Sequence, residues 1–277
     1  MPELPEAEHA RRRFLALTAG RTIEDARALD RIVVPQAPSA WRKALVGRKV
    51  CDAERIGKNV LVHLSGRYAL WFHLGMSGRI IRRDTIGEAI DPATGLPRWT
   101  RWWLSVRGAT VCLADPRRLG RCAAGPVEAV RARARLEALG PDALAVESAA
   151  ALRARVERAR GPIKTALMDQ RRIAGIGNIQ AVEALWLAKI HPETPVTALG
   201  SAAWERLYGG IRESLARTLA AIEGKDEPVY LTAGGANSFL VYGRAGEPCP
   251  RCSAPIAREV ARGRASYICP RCQQRRA

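Results

Sequence analysis

The sequence predicts an α+β multidomain chain: a strand-rich N-terminal part folded as a β-sandwich or barrel, a helical middle, and a small metal-held β-hairpin at the C-terminus. Three observations carry this. Across residues 2–125, apolar runs of strand length recur between turn residues, at 31–34, 59–64, 68–74, 102–106 and 110–114. Several short strands at such spacing suit a sandwich or barrel better than a parallel sheet. Across 126–224, Ala, Leu, Arg and Glu dominate, broken by Gly140-Pro141, Gly161-Pro162, Gly175-Ile176-Gly177 and His191-Pro192, which is helical texture with turn punctuation. The remainder, 225–277, opens on a Gly-rich stretch and ends in two cysteine pairs. These segments, 2–125, 126–224 and 225–277, are the expected divisions of the chain.

The first element is a helix with Ala7, Ala10, Phe14 and Leu17 at helical spacing, stopped by Gly20. Residues 84–98 read as an exposed loop, and 126–141 as the stretch holding an interdomain link. The chain has 277 residues, 47% hydrophobic and 26% charged, which is globular composition. Its most apolar stretch, 60–76, is broken by His63, Arg67 and His73, too early for the roughly 18 apolar residues a membrane span needs. The acidic N-terminus is unlike a secretory signal, so a soluble intracellular protein is expected.

Charge narrows the partners. Lys and Arg number 45 against 27 Asp and Glu, a net charge of +18. Such an excess is the usual footprint of a nucleic-acid binder, because protein cations displace counterions condensed on phosphates. An acidic small molecule or a membrane surface would also answer to the charge.

Cys249-Pro-Arg-Cys252 and Cys269-Pro-Arg-Cys272 are separated by 16 residues. Two residues between thiolates let both sulfurs reach one tetrahedral ion, and the gap suits a hairpin that returns the second pair. One structural zinc ion per chain is expected on these four cysteines. Residues 244–277 carry eight arginines against Glu247 and Glu259, better suited to phosphate contact than to stability. Arg264 is the candidate contact, although a solvated surface arginine reads the same way. Cys51, Cys112 and Cys122 remain; unpaired thiols fit a reducing compartment.

At the other end, Glu3, Glu6 and Glu8 cluster beside Pro2. Acids and proline are ordinary at a helix start. Removal of the initiator Met would also leave a free proline amine. An α-amino group has a reference pKa of about 7.7–8.0 against about 10.4 for lysine, so far more of it is neutral near pH 7. A neutral amine can attack a sugar C1′, as catalytic lysines do in Schiff-base chemistry, while a neighbouring carboxylate moves protons.

Met-Pro-Glu-Leu-Pro-Glu-Ala-Glu, His73-Leu-Gly-Met-Ser-Gly-Arg79, Asp115-Pro-Arg-Arg-Leu-Gly120, Ala174-Gly-Ile-Gly-Asn-Ile179 and Val241-Tyr-Gly-Arg244 stand in one order ahead of the cysteine pairs. This ordered set resembles the formamidopyrimidine-DNA glycosylase and endonuclease VIII family, from residue 2 to 272, and leans to the formamidopyrimidine branch. The resemblance implies an N-terminal β-sandwich with flanking helices, a helix–two-turn–helix domain and a zinc ribbon, with DNA in the cleft between domains. It implies a bifunctional glycosylase and β,δ-lyase in which Pro2 is the nucleophile, Glu3 the proton-handling acid and Glu6 an organiser of the site. Lys58 matches an active-site lysine of the family that contacts DNA phosphate near the lesion, and is placed with the catalytic residues; Lys164, Asn178 and Arg264 match phosphate contacts around the flipped nucleotide. Met76, Arg117 and Leu119 match residues that fill the hole left by base flipping, a hole that costs a few kcal/mol unless filled. Arg117 also faces the orphaned base. His73 reads as a satisfied core histidine. From the residues alone, Gly175-Ile-Gly177 before Asn178 is either a simple helix connection or a turn aiming backbone N–H groups at an anion.

The pattern departs in places. Leu119 stands where the family has Phe, Gln180 where it has Tyr, and 224–238 does not match the wording of the loop that closes over 8-oxoguanine. The expected partner is double-stranded DNA with a damaged base or abasic site, bound by a cytoplasmic, nucleoid-associated monomer. Rival readings are a shifted lesion target, such as oxidised pyrimidines, abasic sites or bulky adducts, and a non-catalytic damaged-DNA binder.

Overall fold

The computed structural model describes residues 2–85, 87–224 and 238–275. The expectation for the 224–238 loop falls almost wholly on 225–237, outside the described residues. Contacts divide the chain into two units. One comprises Pro2 and Glu6–Ala138; the other comprises Glu3–Pro5 and the described residues from Leu139 onward. Among the described residues no helix is long and apolar enough to cross a membrane.

The first unit opens with α1 (Leu4–Thr18, entering this unit at Glu6), then β1 (Ile23–Ala28), α2 (Pro38–Leu45), β2 (Val50–Ile56), β3 (Asn59–Leu64), β4 (Tyr68–His73) and β5 (Arg79–Arg82). A two-residue ladder, β6 (Ile90–Asp91) with β7 (Leu96–Pro97), precedes β8 (Thr100–Val106), β9 (Ala109–Ala114), β10 (Arg121–Pro126) and α3 (Val127–Ala134). Two antiparallel four-stranded sheets result, in the orders β1-β8-β9-β5 and β10-β4-β3-β2. Val60, Val62, Leu70 and Phe72 from one sheet share a core with Trp102, Leu104, Val111 and Leu113 from the other, so the sheets form a sandwich. Phe14 of α1 and Trp41 of α2 enter the same core, with Phe72 5.8 Å from Phe14 and 6.1 Å from Trp102. Burial of both faces explains the uninterrupted apolar runs of β3 and β4, where a sheet wet on one side would alternate.

Two expectations are corrected here. Residues 31–34 are a turn, not a strand. The Asp30 carboxylate accepts from the N–H groups of Ile32 (2.8 Å) and Val33 (3.3 Å), and local side-chain bonds of this kind outcompete a ladder. Residues 84–98 are not wholly an exposed loop, because the β6–β7 ladder buries Leu96 in a small cluster with Ile81, Cys112 and Ala114.

The second unit contains α4 (Ala149–Val156), α5 (Ile163–Leu167), α6 (Asn178–Leu187) and α7 (Ser201–Ile222), followed by the hairpin of β11 (Ala257–Ala261) and β12 (Arg264–Ile268). Helix α6 is buried over nearly its whole length. Ala181, Ala184 and Leu185 pack in the helical core with Leu207, Ile211 and Leu215 of α7. Val182 and Trp186 pack instead with Val241, Ile256 and the cysteines. Gln180 turns its side chain inward, donating to Thr218 Oγ1 (2.9 Å) and accepting from Ser214 Oγ (2.6 Å). Glu183 is buried, and burial raises its pKa against the pull of its donors, the N–H groups of Leu240 (2.7 Å), Val241 (2.9 Å) and Tyr242 (2.9 Å). These bonds hold the chain at 240–242 against α6. Removing a shared acceptor orphans its donors, so Glu183→Ala should destabilise the protein by about 2–4 kcal/mol. It should also speed hydrogen exchange at 240–242 ahead of the rest of the unit; thermal melting and exchange mass spectrometry check this.

Candidate active site

Glu3 is only 1% exposed, and its surroundings explain how a carboxylate tolerates that. It accepts from the backbone N–H groups of Gly177 (3.0 Å), Ile179 (2.8 Å) and Gln180 (3.0 Å). These are the unpaired donors at the start of α6, where the helix dipole adds positive potential. The turn before Asn178 therefore does aim N–H groups at an anion, and the anion is the chain's own Glu3. Leu4 N–H adds a bond to the Gly175 carbonyl (3.1 Å). Two glycines make room. A Cβ on Gly177 would collide with the Glu3 carboxyl, and one on Gly175, whose φ is +109°, would sit 2.6 Å from Leu4 Cδ1. Glu3 precedes α1, whereas Glu6 lies buried in its first turn, so the two acids do not share a helix face. Pro2, also buried, is the residue before Glu3.

Lys164, Asn178 and Arg264 converge in the second unit. Lys164 is buried, its Nζ donating to the Ala265 carbonyl (3.0 Å) and to Ser266 Oγ (2.7 Å). Asn178 Nδ2 donates to that same carbonyl at 3.0 Å. Arg264, the exposed first residue of β12, is adjacent to Ala265. Burial lowers the Lys164 pKa to about 8; Arg264 adds to the fall, while Glu193 and Glu3 oppose it. Tyr242 belongs here too, beside Asn178 and within electrostatic reach of Glu3, its pKa raised by burial. Its ring meets Tyr267 at 5.0 Å and Phe239 at 5.9 Å. The motif Val241-Tyr-Gly-Arg244 contained it, but an isolated tyrosine beside apolar residues reads as core.

In the first unit, Lys58 follows Gly57 in the β2–β3 turn and is half-buried. With Arg121 it lies near His73, whose pKa falls to about 4, chiefly through burial and then through these two cations. His73 Nδ1 accepts from Gly75 N–H (3.0 Å), so the neutral ring carries its proton on Nε2. It is a largely buried histidine with Nδ1 satisfied, as expected, and it has Lys58 and Arg121 nearby. Met76 (40% exposed), Arg117 and Leu119 (38% exposed) all project from loops. One buried carboxylate joins those loops: Asp115 accepts from Ser77 Oγ and from the N–H groups of Gly120 (2.7 Å) and Arg117 (3.3 Å).

The four paired cysteines present sulfurs within 4.8 Å of one another, with Cys252 Sγ 3.4 Å from that of Cys269 and 3.5 Å from that of Cys272. A tetrahedral ion with Zn–S bonds of about 2.3 Å spaces its ligands about 3.8 Å apart, so the set fits one structural zinc. The zinc would staple 249–252 to 269–272 and support the hairpin carrying Arg264 and Ala265.

Comparison with known proteins agrees with this arrangement. Residues 1–122 match the family model described as formamidopyrimidine-DNA glycosylase N-terminal domain, 139–227 the H2TH domain of that glycosylase, and 246–275 the zinc finger found in FPG and IleRS. Together these segments are those of a zinc-finger DNA glycosylase. The formamidopyrimidine-DNA glycosylase of Thermus thermophilus is 36% identical over 95% of this chain and 95% of its own length. That of Chloroflexus aurantiacus is 36% identical over 94% and 93%. The Lactococcus lactis Fpg solved with abasic-site DNA superposes with a TM-score of 0.84 at 27% identity, covering 99% of this chain and 100% of that one. The chain belongs to the formamidopyrimidine-DNA glycosylase family.

Two outcomes test the geometry. Gly177→Ala should displace Glu3 and cut base excision by at least about a hundredfold, a loss of about 2.7 kcal/mol in transition-state stabilisation, and should also lower the melting temperature, because the three buried N–H donors lose their acceptor; single-turnover excision assays on the folded variant measure the first effect and thermal melting the second. Lys164 sheds its proton above about pH 8. If it grips phosphate, duplex affinity should fall by up to about tenfold per pH unit beyond that point, since binding must restore the proton. Lys164→Arg should flatten the profile, which titration of affinity from pH 7 to 9.5 reads directly.

Proposed function

We propose that the chain excises oxidised bases of the 8-oxoguanine and formamidopyrimidine class from duplex DNA and then cleaves the abasic strand by β,δ-elimination. The observation that carries this is the buried Glu3 carboxylate, fixed by three backbone N–H groups immediately after Pro2. Binding DNA calls for cations; a carboxylate placed with this care beside a chain-terminal amine suits chemistry.

With the initiator Met removed, the neutral Pro2 amine attacks C1′ of the flipped nucleotide and the damaged base departs. Glu3, the residue next to that amine, manages the accompanying protons. The sugar ring then opens as the C1′–O4′ bond breaks and O4′ takes a proton, leaving C1′ doubly bonded to the proline nitrogen as an iminium; this acidifies C2′ and permits elimination of the 3′ phosphate and then the 5′ phosphate. Glu6 helps to organise the amine. Lys58, Lys164, Asn178 and Arg264 hold the phosphates around the extruded sugar, while Met76, Arg117 and Leu119 fill the vacated stack and Arg117 faces the orphaned base. The divisions 2–125, 126–224 and 225–277 then act as catalytic domain, DNA-binding domain, and recognition segment with zinc finger. Related structures support the substrate class: the Lactococcus lactis protein was solved with Fapy-dG-containing DNA and with DNA containing an oxidised pyrimidine. The working location is the cytoplasm, on the nucleoid, as a monomer.

Borohydride should trap the Met-processed protein covalently on duplexes bearing 8-oxoguanine or formamidopyrimidine, and not on undamaged DNA. Trapping mainly on thymine glycol would redirect the lesion assignment to oxidised pyrimidines. No adduct on any DNA, with Pro2 verified as N-terminal, would favour a damage-binding protein. A form retaining Met1 should lose the lyase; full activity with Met1 confirmed by mass spectrometry removes Pro2 from the mechanism.

A further inference from the structure

We propose that a cavity in the first unit, with Trp99 as its aromatic wall, receives a nucleotide from the strand opposite the damaged base. Among the described residues seven large hydrophobic side chains are exposed. Two of them, Met76 and Leu119, are the residues assigned to the vacated stack. Three others, Leu29, Ile90 and Trp99, line one cavity of about 660 Å³ together with Arg98, Arg101 and Asp91. Such clustering is unlike the scattered apolar residues of an ordinary surface, and the volume lies within the usual range for a site holding one small ligand.

The backbone holds Trp99 in an uncommon conformation. Its φ is +63°, in the left-handed region that a bulky residue seldom occupies. Bonds on either side hold it there: Asp115 N–H donates to the Trp99 carbonyl (3.0 Å), and Arg98 N–H to the Ala89 carbonyl (2.8 Å). Trp99 as a residue remains 45% exposed, and the Arg98 guanidinium lies over its ring, 4.9 Å from the ring centre. An exposed aromatic plane paired with a cation is the platform on which nucleobases stack.

Two features identify the occupant as DNA of the undamaged strand. Arg98 supplies positive charge at the cavity, matched to the phosphate of a stacked nucleotide, while Arg101 is held internally. The cavity is also bonded to the loop that carries Arg117. Arg101 donates to the carbonyls of Asp115 (2.7 Å) and Pro116 (3.4 Å), and pairs with Asp30, which pairs in turn with Arg118. Arg117 is assigned to the orphaned base, so the wall of the cavity is continuous with the reader of that strand. This inference rests on the glycosylase reading above.

The test uses lesion duplexes with 2-aminopurine placed in turn opposite the lesion and at the flanking positions of the undamaged strand. Wild-type protein should change the emission strongly at one position. Trp99→Asn, whose side chain tolerates left-handed backbone, should abolish that change and weaken lesion-duplex affinity about five- to a hundredfold, the range for one base stacked on an aromatic ring. Its melting temperature should match the wild type. Arg98→Gln should lower the slope of log affinity against log salt by about one, as expected for a lost phosphate contact. Equal emission and affinity for wild type and Trp99→Asn at every position would overturn the proposal while leaving the glycosylase intact, because borohydride trapping on the same duplexes reports catalysis separately. Failure of wild-type trapping would overturn both.

Discussion

A carboxylate at the third residue, held by the open end of a helix more than 170 residues later, is the interaction on which the site depends. Burying an ion this completely is costly unless its lone pairs are met, and here the start of α6 meets them with backbone donors. Because the donors are main-chain atoms of one rigid element, the position of the carboxylate follows from the position of the helix. Pro2 then takes its place by covalent attachment to Glu3.

The same helix organises its whole unit. One face packs on α7, the next carries the zinc-finger core through Val182 and Trp186, and between them Glu183 fixes 240–242 by a second carboxylate-to-backbone cluster. Gln180 completes a buried network with Ser214 and Thr218. Helix α6 therefore resembles a spindle more than a surface element: anions at Glu3 and Glu183 are each neutralised by N–H groups, and Lys164 nearby is satisfied by Ala265 and Ser266. Polar groups are buried here at high density, yet each of these has partners, which is the condition under which such networks define geometry instead of weakening it.

What could be read in the sequence divides along physical lines. Of the four central strands, β3, β4 and β9 were legible as apolar runs because consecutive residues are buried on both faces, and β8 because Trp102, Leu104 and Val106 alternate inward with half-buried Trp103 and Ser105. The four strands at sheet edges, β1, β2, β5 and β10, were not: Ile23–Ala28 and Val50–Ile56 carry charges that edge strands use against unwanted pairing, and Arg79–Arg82 is only four residues. The turn at 31–34 misled because Ile32, Val33 and Val34 supply strand chemistry while Asp30, one residue earlier, supplies the bonds that forbid it. Within the site, spacing alone revealed the cysteines. The resemblance located Lys164 and Asn178, but nothing local in the sequence announces that both point at the Ala265 carbonyl, a contact spanning about a hundred residues. The neutral, donor-bearing state of His73 depends first on its burial, then on Lys58 of the β2–β3 turn and Arg121 of β10, and was equally invisible.

The use of main-chain donors for Glu3 has an evolutionary corollary. A carboxylate gripped through N–H groups is indifferent to which side chains hang from residues 179 and 180, so those positions can drift as long as the helix starts in the same place. Only the two glycines, where any side chain intrudes, are barred from change. Gln180 illustrates the licence: it stands where the family resemblance leads one to expect tyrosine, has found hydroxyl partners on α7, and still lends its N–H to Glu3. A different side chain at residue 180 is therefore compatible with a fixed Glu3, because the carboxylate is held by the peptide backbone.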